Sequence, residues 1–232
     1  MDFKGHVALA QGRLHPLTVL DDHSRFAVVL SACADQRTET VRDRLAAAFR
    51  RYGLPEAMIT DNGAPWGNGP GSPFTPLGVW LMEQDIRIGH ARPYHPQTMG
   101  KDERFHRSLK VEVLAGPAFA DLAAASRALE RWRTVYNTQR PHEALDLAVP
   151  ASRYRHSPRG YAEAPAPFEY APDDIVRRVQ QGGQVSLLGR TVRLPKAFRG
   201  RAIALRPTAM DGVFHAVFRT QTIASIDIRA LD

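Results

Sequence analysis

Between residues 17 and 60 the hydrophobic period changes twice, and this constrains the fold more than any other feature of the chain. Leu17-Thr18-Val19-Leu20 and Phe26-Ala27-Val28-Val29-Leu30 are apolar runs around the polar turn Asp21-Asp22-His23-Ser24, the pattern of an antiparallel hairpin. From Thr38 to Tyr52 the apolar residues Val41, Leu45, Ala48, Phe49 and Tyr52 recur at helical spacing, with Thr38 as the expected cap and Gly53 and Pro55 as the stop. Ala57 to Thr60 then reads as a short buried strand. Strand, helix and strand in this order predict a mixed α/β sheet. Further helices are expected over Leu77–Gln84, Lys101–Leu114 and Asp121–Tyr136, and a short strand over Ile86–Ile88. The Gly- and Pro-rich stretch 62–76 reads as a loop and the Pro-rich stretch 156–174 as a linker. Beyond it, short alternating segments predict a small all-β domain, expected as a barrel. The domain expectation is a core at 1–155, the linker at 156–174 and the barrel at 175–232.

The chain has 232 residues and is 44% hydrophobic, enough for a core. No stretch approaches the roughly 20 apolar residues of a membrane span, and the N-terminus lacks the apolar run of a signal peptide, so a cytoplasmic location without membrane contact is expected. Cys33 is the single cysteine, which excludes an internal disulfide and a multi-cysteine zinc site; it reads as a small buried side chain. Ile175–Asp232 carries ten basic residues against three acidic ones, while the rest balances at 21 of each. That surplus of seven suits a polyanion partner, because neutralised phosphates release counterions.

Three carboxylates stand out. Asp2 opens the chain's first strand-like run, Asp61 follows Met58-Ile59-Thr60 and precedes the turn dipeptide Asn62-Gly63, and Glu103 lies in the first turn of the helix that begins near Lys101. Two carboxylates at strand ends and one on a helix can converge on hard divalent cations, and Mg²⁺ favours a few carboxylates plus water and phosphate oxygens. Two such ions clamp the attacking and leaving oxygens of an in-line phosphoryl displacement. The chemistry expected of this pattern is cutting and joining of DNA.

Several segments together resemble the integrase-core transposases of bacterial insertion sequences, relatives of retroviral integrases. They are Met1-Asp2-Phe3-Lys4-Gly5, Pro16 through Arg25, Thr60-Asp61-Asn62-Gly63, Tyr94-His95-Pro96-Gln97-Thr98, Gly100 through Arg107, and Tyr136-Asn137 with Arg140-Pro141-His142. The resemblance covers roughly residues 1–160 and implies a ribonuclease H-like fold: a mixed five-stranded sheet with flanking helices. It implies that Asp2, Asp61 and Glu103 are the catalytic triad and the ligands of two Mg²⁺ ions, which Mn²⁺ can replace. It also implies that the partners are element ends and target DNA, bound by a homo-oligomer. The spacings are 59 residues from Asp2 to Asp61 and 42 from Asp61 to Glu103.

The DNA contacts expected on the helix are Lys101, Arg104, Arg107 and Lys110, and those in the C-terminal region are Arg177, Arg178, Arg190, Arg193, Arg199 and Arg201. Asp22 reads as a turn residue that caps toward Ser24 or pairs with Arg25. Asp102 stands where the family has an uncharged residue and is expected to face solvent. His95 and His106 read as DNA contacts or packing rather than ligands, Trp80 and Trp132 as core, and Trp66 as a stacking platform for an unpaired base. The family carries a helix-turn-helix region ahead of the first aspartate, and here one residue precedes it. The expectation is a weak or inactive transposase until that end is extended. Two alternatives stay open: a remnant that only binds DNA, and a nuclease that only hydrolyses.

Overall fold

The computed structural model describes residues 1–67, 73–90 and 100–230, in two compact units. The first holds residues 1–65 and 89–161, the second 66–88 and 162–232. The sequence motif Pro93 to Met99, with His95, lies outside the described residues.

In the first unit β3 (Arg13–Leu20) is the organising strand. It pairs antiparallel with β4 (Ala27–Cys33) across the Asp21–Ser24 turn, as the apolar runs predict. β1 (Asp2–Phe3) and β2 (Val7–Ala8) take successive stretches of β3, with Asp2 opposite Thr18 and Val7 opposite Leu14. α1 (Thr38–Tyr52) follows, and then β5 (Ala57–Thr60), both at the bounds predicted. The cap differs. Arg37 is the N-cap residue without a side-chain bond, and Asp35 takes over that duty by accepting from Arg37 N at 3.0 Å and from Thr40 Oγ1 at 2.6 Å. Gly53 ends α1 at φ +78°, and a Cβ there would stand 2.3 Å from the Ser157 carbonyl oxygen.

The five-strand expectation resolves into the β1–β2–β3–β4 sheet and a two-stranded sheet of β5 with β6 (Arg87–His90). The two are joined by a bond from the Met1 nitrogen to the Ile59 carbonyl, 2.9 Å long. α3 (Gly100–Leu109) and α4 (Leu122–Thr138) pack with β4, where Phe105, Leu109, Leu129 and Tyr136 share a core cluster with Leu30 and Ala32. Val29, on the other side of the strand, lines a cavity together with Leu45 and Phe49 of α1. The expected helix over 101–114 changes form part-way: Lys110–Leu114 is a π-helical turn. Asn137 closes the unit, accepting from Ala27 N at 2.8 Å and donating to Ala27 O at 3.2 Å, so a side chain stands in for a strand partner at the start of β4. Beyond α4 come the single-turn α5 (Pro150–Arg153) and an irregular run in which Ser157 N donates to Tyr52 O.

In the second unit β12 (Gln221–Asp227), β11 (Val213–Phe218), β10 (Ala202–Pro207) and β7 (Ile175–Arg178) form an antiparallel sheet in that order. β8 (Gln184–Leu187) and β9 (Arg190–Arg193) form a separate hairpin. The all-β region is therefore present, but as an open sheet and a hairpin rather than the barrel expected, since no ladder among the described residues joins β12 to the rest of a ring. α2 (Pro76–Glu83), capped by Thr75, packs here, with Val79 and Met82 in one cluster with Val185, Phe198, Ile203 and Phe218. The sequence placed this helix inside the core's span. It is buried on almost every side, and an apolar helix of that kind needs a partner on each face. Trp66 is 3% exposed, with its carbonyl accepting from Thr75 Oγ1, so it is core and not a stacking platform. Trp80 is core, and Cys33 is fully buried. No helix among the described residues is long and apolar enough to cross a membrane.

Candidate functional site

The site builds outward from β1. Asp2 is paired in register with Thr18, so its backbone is held by β3 while its side chain projects from the sheet. Burial, the charge of Asp61 and, more weakly, that of Asp102 push the Asp2 carboxyl up to about 6, against a bond from Phe3 N and the nearby ammonium. Asp61 leaves the end of β5, where one of its carboxylate oxygens accepts from Gly63 N at 3.1 Å; the turn that the Asn62-Gly63 dipeptide predicts thus orients the side chain. His90 lies against the same corner, with Nδ1 3.0 Å from Asp61 O and 3.2 Å from Thr60 Oγ1.

Behind Asp2 is a buried relay. The Thr18 hydroxyl donates to Asp2 O at 3.0 Å and lies 2.8 Å from His106 Nε2. A hydroxyl has one hydrogen and a carbonyl can only accept, so His106 must carry its proton on Nε2 and donate to Thr18. Burial, with the charges of Lys4 and the terminal ammonium, pulls the His106 imidazole down to about 4, so it is neutral near pH 7. Its bare Nδ1, 3.8 Å from Asp2 Oδ2, therefore makes no ion pair with it. Sequence reasoning placed His106 as packing or DNA contact; the structure gives it a specific partner.

Asp2 and Asp61 are thus brought within electrostatic reach of each other. Glu103 is exposed on α3, in the turn before His106. Among the described residues no group of three or more His, Cys, Asp or Glu is close enough to hold a metal. Asp102 corrects its expectation: its side chain is 14% exposed and lies 3.6 Å from the Met1 nitrogen. The cause is helical period, since Asp102 and the buried His106 are four residues apart and share a face. Asp22 pairs with Lys101 Nζ at 2.5 Å, while Asp21 performs the turn capping, accepting from Ser24 N and Oγ.

The expected DNA contacts sort by their partners. Arg104, Arg107 and Lys110 are exposed on α3 and its π-helical extension, while Lys101 is engaged by Asp22. In the second unit Arg177, Arg178, Arg190, Arg193 and Arg199 are exposed, and Arg201 pairs with Glu83 at 2.5 Å. Arg206, Arg219 and Arg229 are held by Asp174, Asp85 and Asp227. The positive surplus is therefore partly structural.

Residues 1–96 match a family model described as the integrase core domain, and residues 84–150 match a second model of the same description. Residues 174–232 match the C-terminal domain of IS481 family transposases. The chain is 31% identical over 163 residues to a 31.7 kDa protein of insertion element IS407 from Burkholderia multivorans, covering 70% of this chain and 56% of the relative. It is 29% identical over 154 residues to a 39.2 kDa protein of insertion element IS476 from Xanthomonas euvesicatoria, covering 65% of this chain and 42% of the relative. The chain spans about half the length of these curated relatives. Among solved structures it is similar to a chain of the simian T-cell lymphotropic virus intasome in complex with PP2A regulatory subunit B56 gamma. The TM-score is 0.50 and the identity 17%, over 96% of this chain and 78% of that one, a likeness of fold. With integrase-core matches running through residues 1–150 and a transposase C-terminal domain behind them, the chain belongs to the integrase-core transposases of bacterial insertion sequences.

Proposed function

We propose that this chain cuts and joins DNA at the ends of an insertion element, using Asp2, Asp61 and Glu103 as its reaction centre. The observation that carries the reading is the pairing of Asp2, on β1, with Asp61, just past the end of β5: burial and then the charge of Asp61 suppress ionisation of Asp2. Two half-buried carboxylates this close repel each other, and a hard divalent ion would relieve that. The donor set is oxygen only, and neutral His106 stands behind Asp2 rather than beside Asp61, so the residues present fit Mg²⁺ or Mn²⁺ better than a softer metal. Glu103, one turn before His106 on α3, would complete the ligand set. Bound there, two such ions would lower the pKa of an attacking 3′-hydroxyl or water and neutralise charge on the leaving oxygen.

The protein's own contribution is positioning. Thr18 and His106 fix Asp2, the Asn62-Gly63 turn fixes Asp61, and Arg104, Arg107 and Lys110 offer cations to the DNA backbone beside Glu103. The exposed arginines of the second unit supply sequence-tolerant phosphate contacts. The intasome likeness supports action as a homo-oligomer on DNA. One observation favours a second reading of the third ligand: Asp102 is an α3 carboxylate whose charge weighs on Asp2. The test of function is strand transfer between paired DNA ends and a target in Mg²⁺. Joining is expected with the unaltered chain and none with a folded Asp61→Asn variant. Joining by that variant would overturn the assignment, and cleavage without joining would make the chain a hydrolysing nuclease.

A further inference from the structure

A pocket of about 580 Å³ opens in the first unit beside α3, lined by Arg25 from the β3–β4 turn, Lys101 and Arg104 from α3, and Tyr136, Arg140 and His142 from the end of α4 and the turn after it. Three segments far apart in sequence thus deliver four permanent cations to one cavity, and Glu143 is the one carboxylate among its lining residues. We propose that this pocket is a seat for a single phosphodiester of the DNA backbone, a proposal that rests on the reading of the chain as a DNA-handling protein.

The cations are held in place without being used up. Arg140 is anchored by Glu112 of the π-helical turn, which also accepts from Trp132 Nε1 at 2.8 Å, and its guanidinium lies 6.0 Å from the centre of the Tyr136 ring. A guanidinium has five N–H donors, so one carboxylate leaves Arg140 with donors to spare. Arg25, at φ +63°, donates through Nη1 to the carbonyls of Asp22 and His23, and the rest of its fork has no partner among the described residues. Lys101 is tied to Asp22, and Arg104 has no partner among the described residues.

His142 adds an independent sign. Its Nε2 is buried and has no hydrogen-bond partner among the described residues, and an orphaned buried polar atom calls for one. Burial, then Arg140, Arg25 and Arg104, holds this imidazole below the usual histidine range, so three cations converge on it and a neutral N–H can donate to an anion oxygen. Arg104 is the residue after Glu103, so the seat lies on the helix that carries the proposed third ligand. Such contacts fix the register of a duplex without reading its bases.

The test measures binding of the full chain to a short duplex in EDTA, which separates it from metal-dependent chemistry. The slope of log K against log salt is compared for the parent, Arg25→Gln, Arg104→Gln and the double variant. One shared phosphate predicts that the double variant's slope is shallower by about 0.9, with single losses in affinity that do not add. An unchanged slope, or a change of about 1.8 from two independent contacts, overturns the pocket while leaving DNA binding intact. No binding by the parent chain overturns the pocket and the reading beneath it together. A second arm follows the His142 ring nitrogens by NMR. Duplex should shift them and inorganic phosphate at equal concentration should not; the reverse marks a site for free phosphate and overturns the proposal. Should Arg25→Gln unfold the turn, Arg104→Gln carries the test alone: lost slope with a shifted parental His142 signal supports it, and an unchanged slope refutes it.

Discussion

Thr18→Val isolates the relay behind Asp2. Thr18 is fully buried and His106 is 8% exposed, so water cannot replace the lost oxygen. Valine keeps the shape and leaves no cavity, but it removes the acceptor for His106 Nε2–H and the donor to Asp2 O. Leaving one buried donor unsatisfied costs about 1–3 kcal/mol. For a chain of this size each kcal/mol moves the melting temperature by about 2–4 °C, so a fall of about 2 to 12 °C is expected in thermal unfolding. Asp2 loses the hydroxyl that braces its carbonyl, and loss of such an outer partner typically lowers metal affinity about 10–100-fold. Mn²⁺ titration followed by electron paramagnetic resonance measures that directly. Thr18→Ser retains the hydroxyl and should restore both quantities. A valine variant with parental stability and Mn²⁺ affinity, or a serine variant as impaired as valine, would refute the relay.

Two further outcomes follow from the same geometry. Asp2 is raised to about 6, so the native state holds a proton that the unfolded state has released, and its contribution to stability falls as pH rises from about 4 to about 6. His106, lowered to about 4, acts in the opposite sense, its contribution rising with pH from about 4 to about 6.5. Asp2→Asn should therefore leave a stability that climbs with pH in that window when measured by urea unfolding without divalent ions; a slope unchanged from the parent would contradict the shifts. Gly53→Ala should destabilise by about 1–3 kcal/mol from its backbone angles alone, since φ +78° with ψ 174° is a region for glycine, with the Ser157 carbonyl adding a clash. Denaturant unfolding within about 0.5 kcal/mol of the parent would refute this.

The parts of the fold legible in the sequence are those governed by periodicity. The β3–β4 hairpin, α1 and β5 stand where apolar runs and helical spacing put them, because each buries apolar side chains in the core. Features set by other forces were not legible. β1 is two residues long and is defined by pairing with Thr18 and Leu17, a long-range ladder whose partner strand no local pattern reveals. The π-helical turn after Leu109 carries ordinary helical composition, and its place is fixed by Glu112 meeting Arg140 and Trp132. At the site, motif spacing indicated Asp2 and Asp61, and the structure brings them together. The inward turn of Asp102 was readable from its four-residue separation from His106, had His106 been taken as buried. Arg25, Arg140 and His142 gave no signal beyond the Arg140-Pro141-His142 motif, because their convergence depends on the tertiary fold.

The most direct measurement of the proposed reaction centre compares Mg²⁺-dependent strand transfer by Glu103→Gln and Asp102→Asn, each checked for parental unfolding behaviour. If Asp2, Asp61 and Glu103 form the centre, Glu103→Gln falls to background and Asp102→Asn joins DNA within a few-fold of the parent. Background joining by Asp102→Asn alongside near-parental joining by Glu103→Gln would contradict that assignment and move the third ligand one residue along α3.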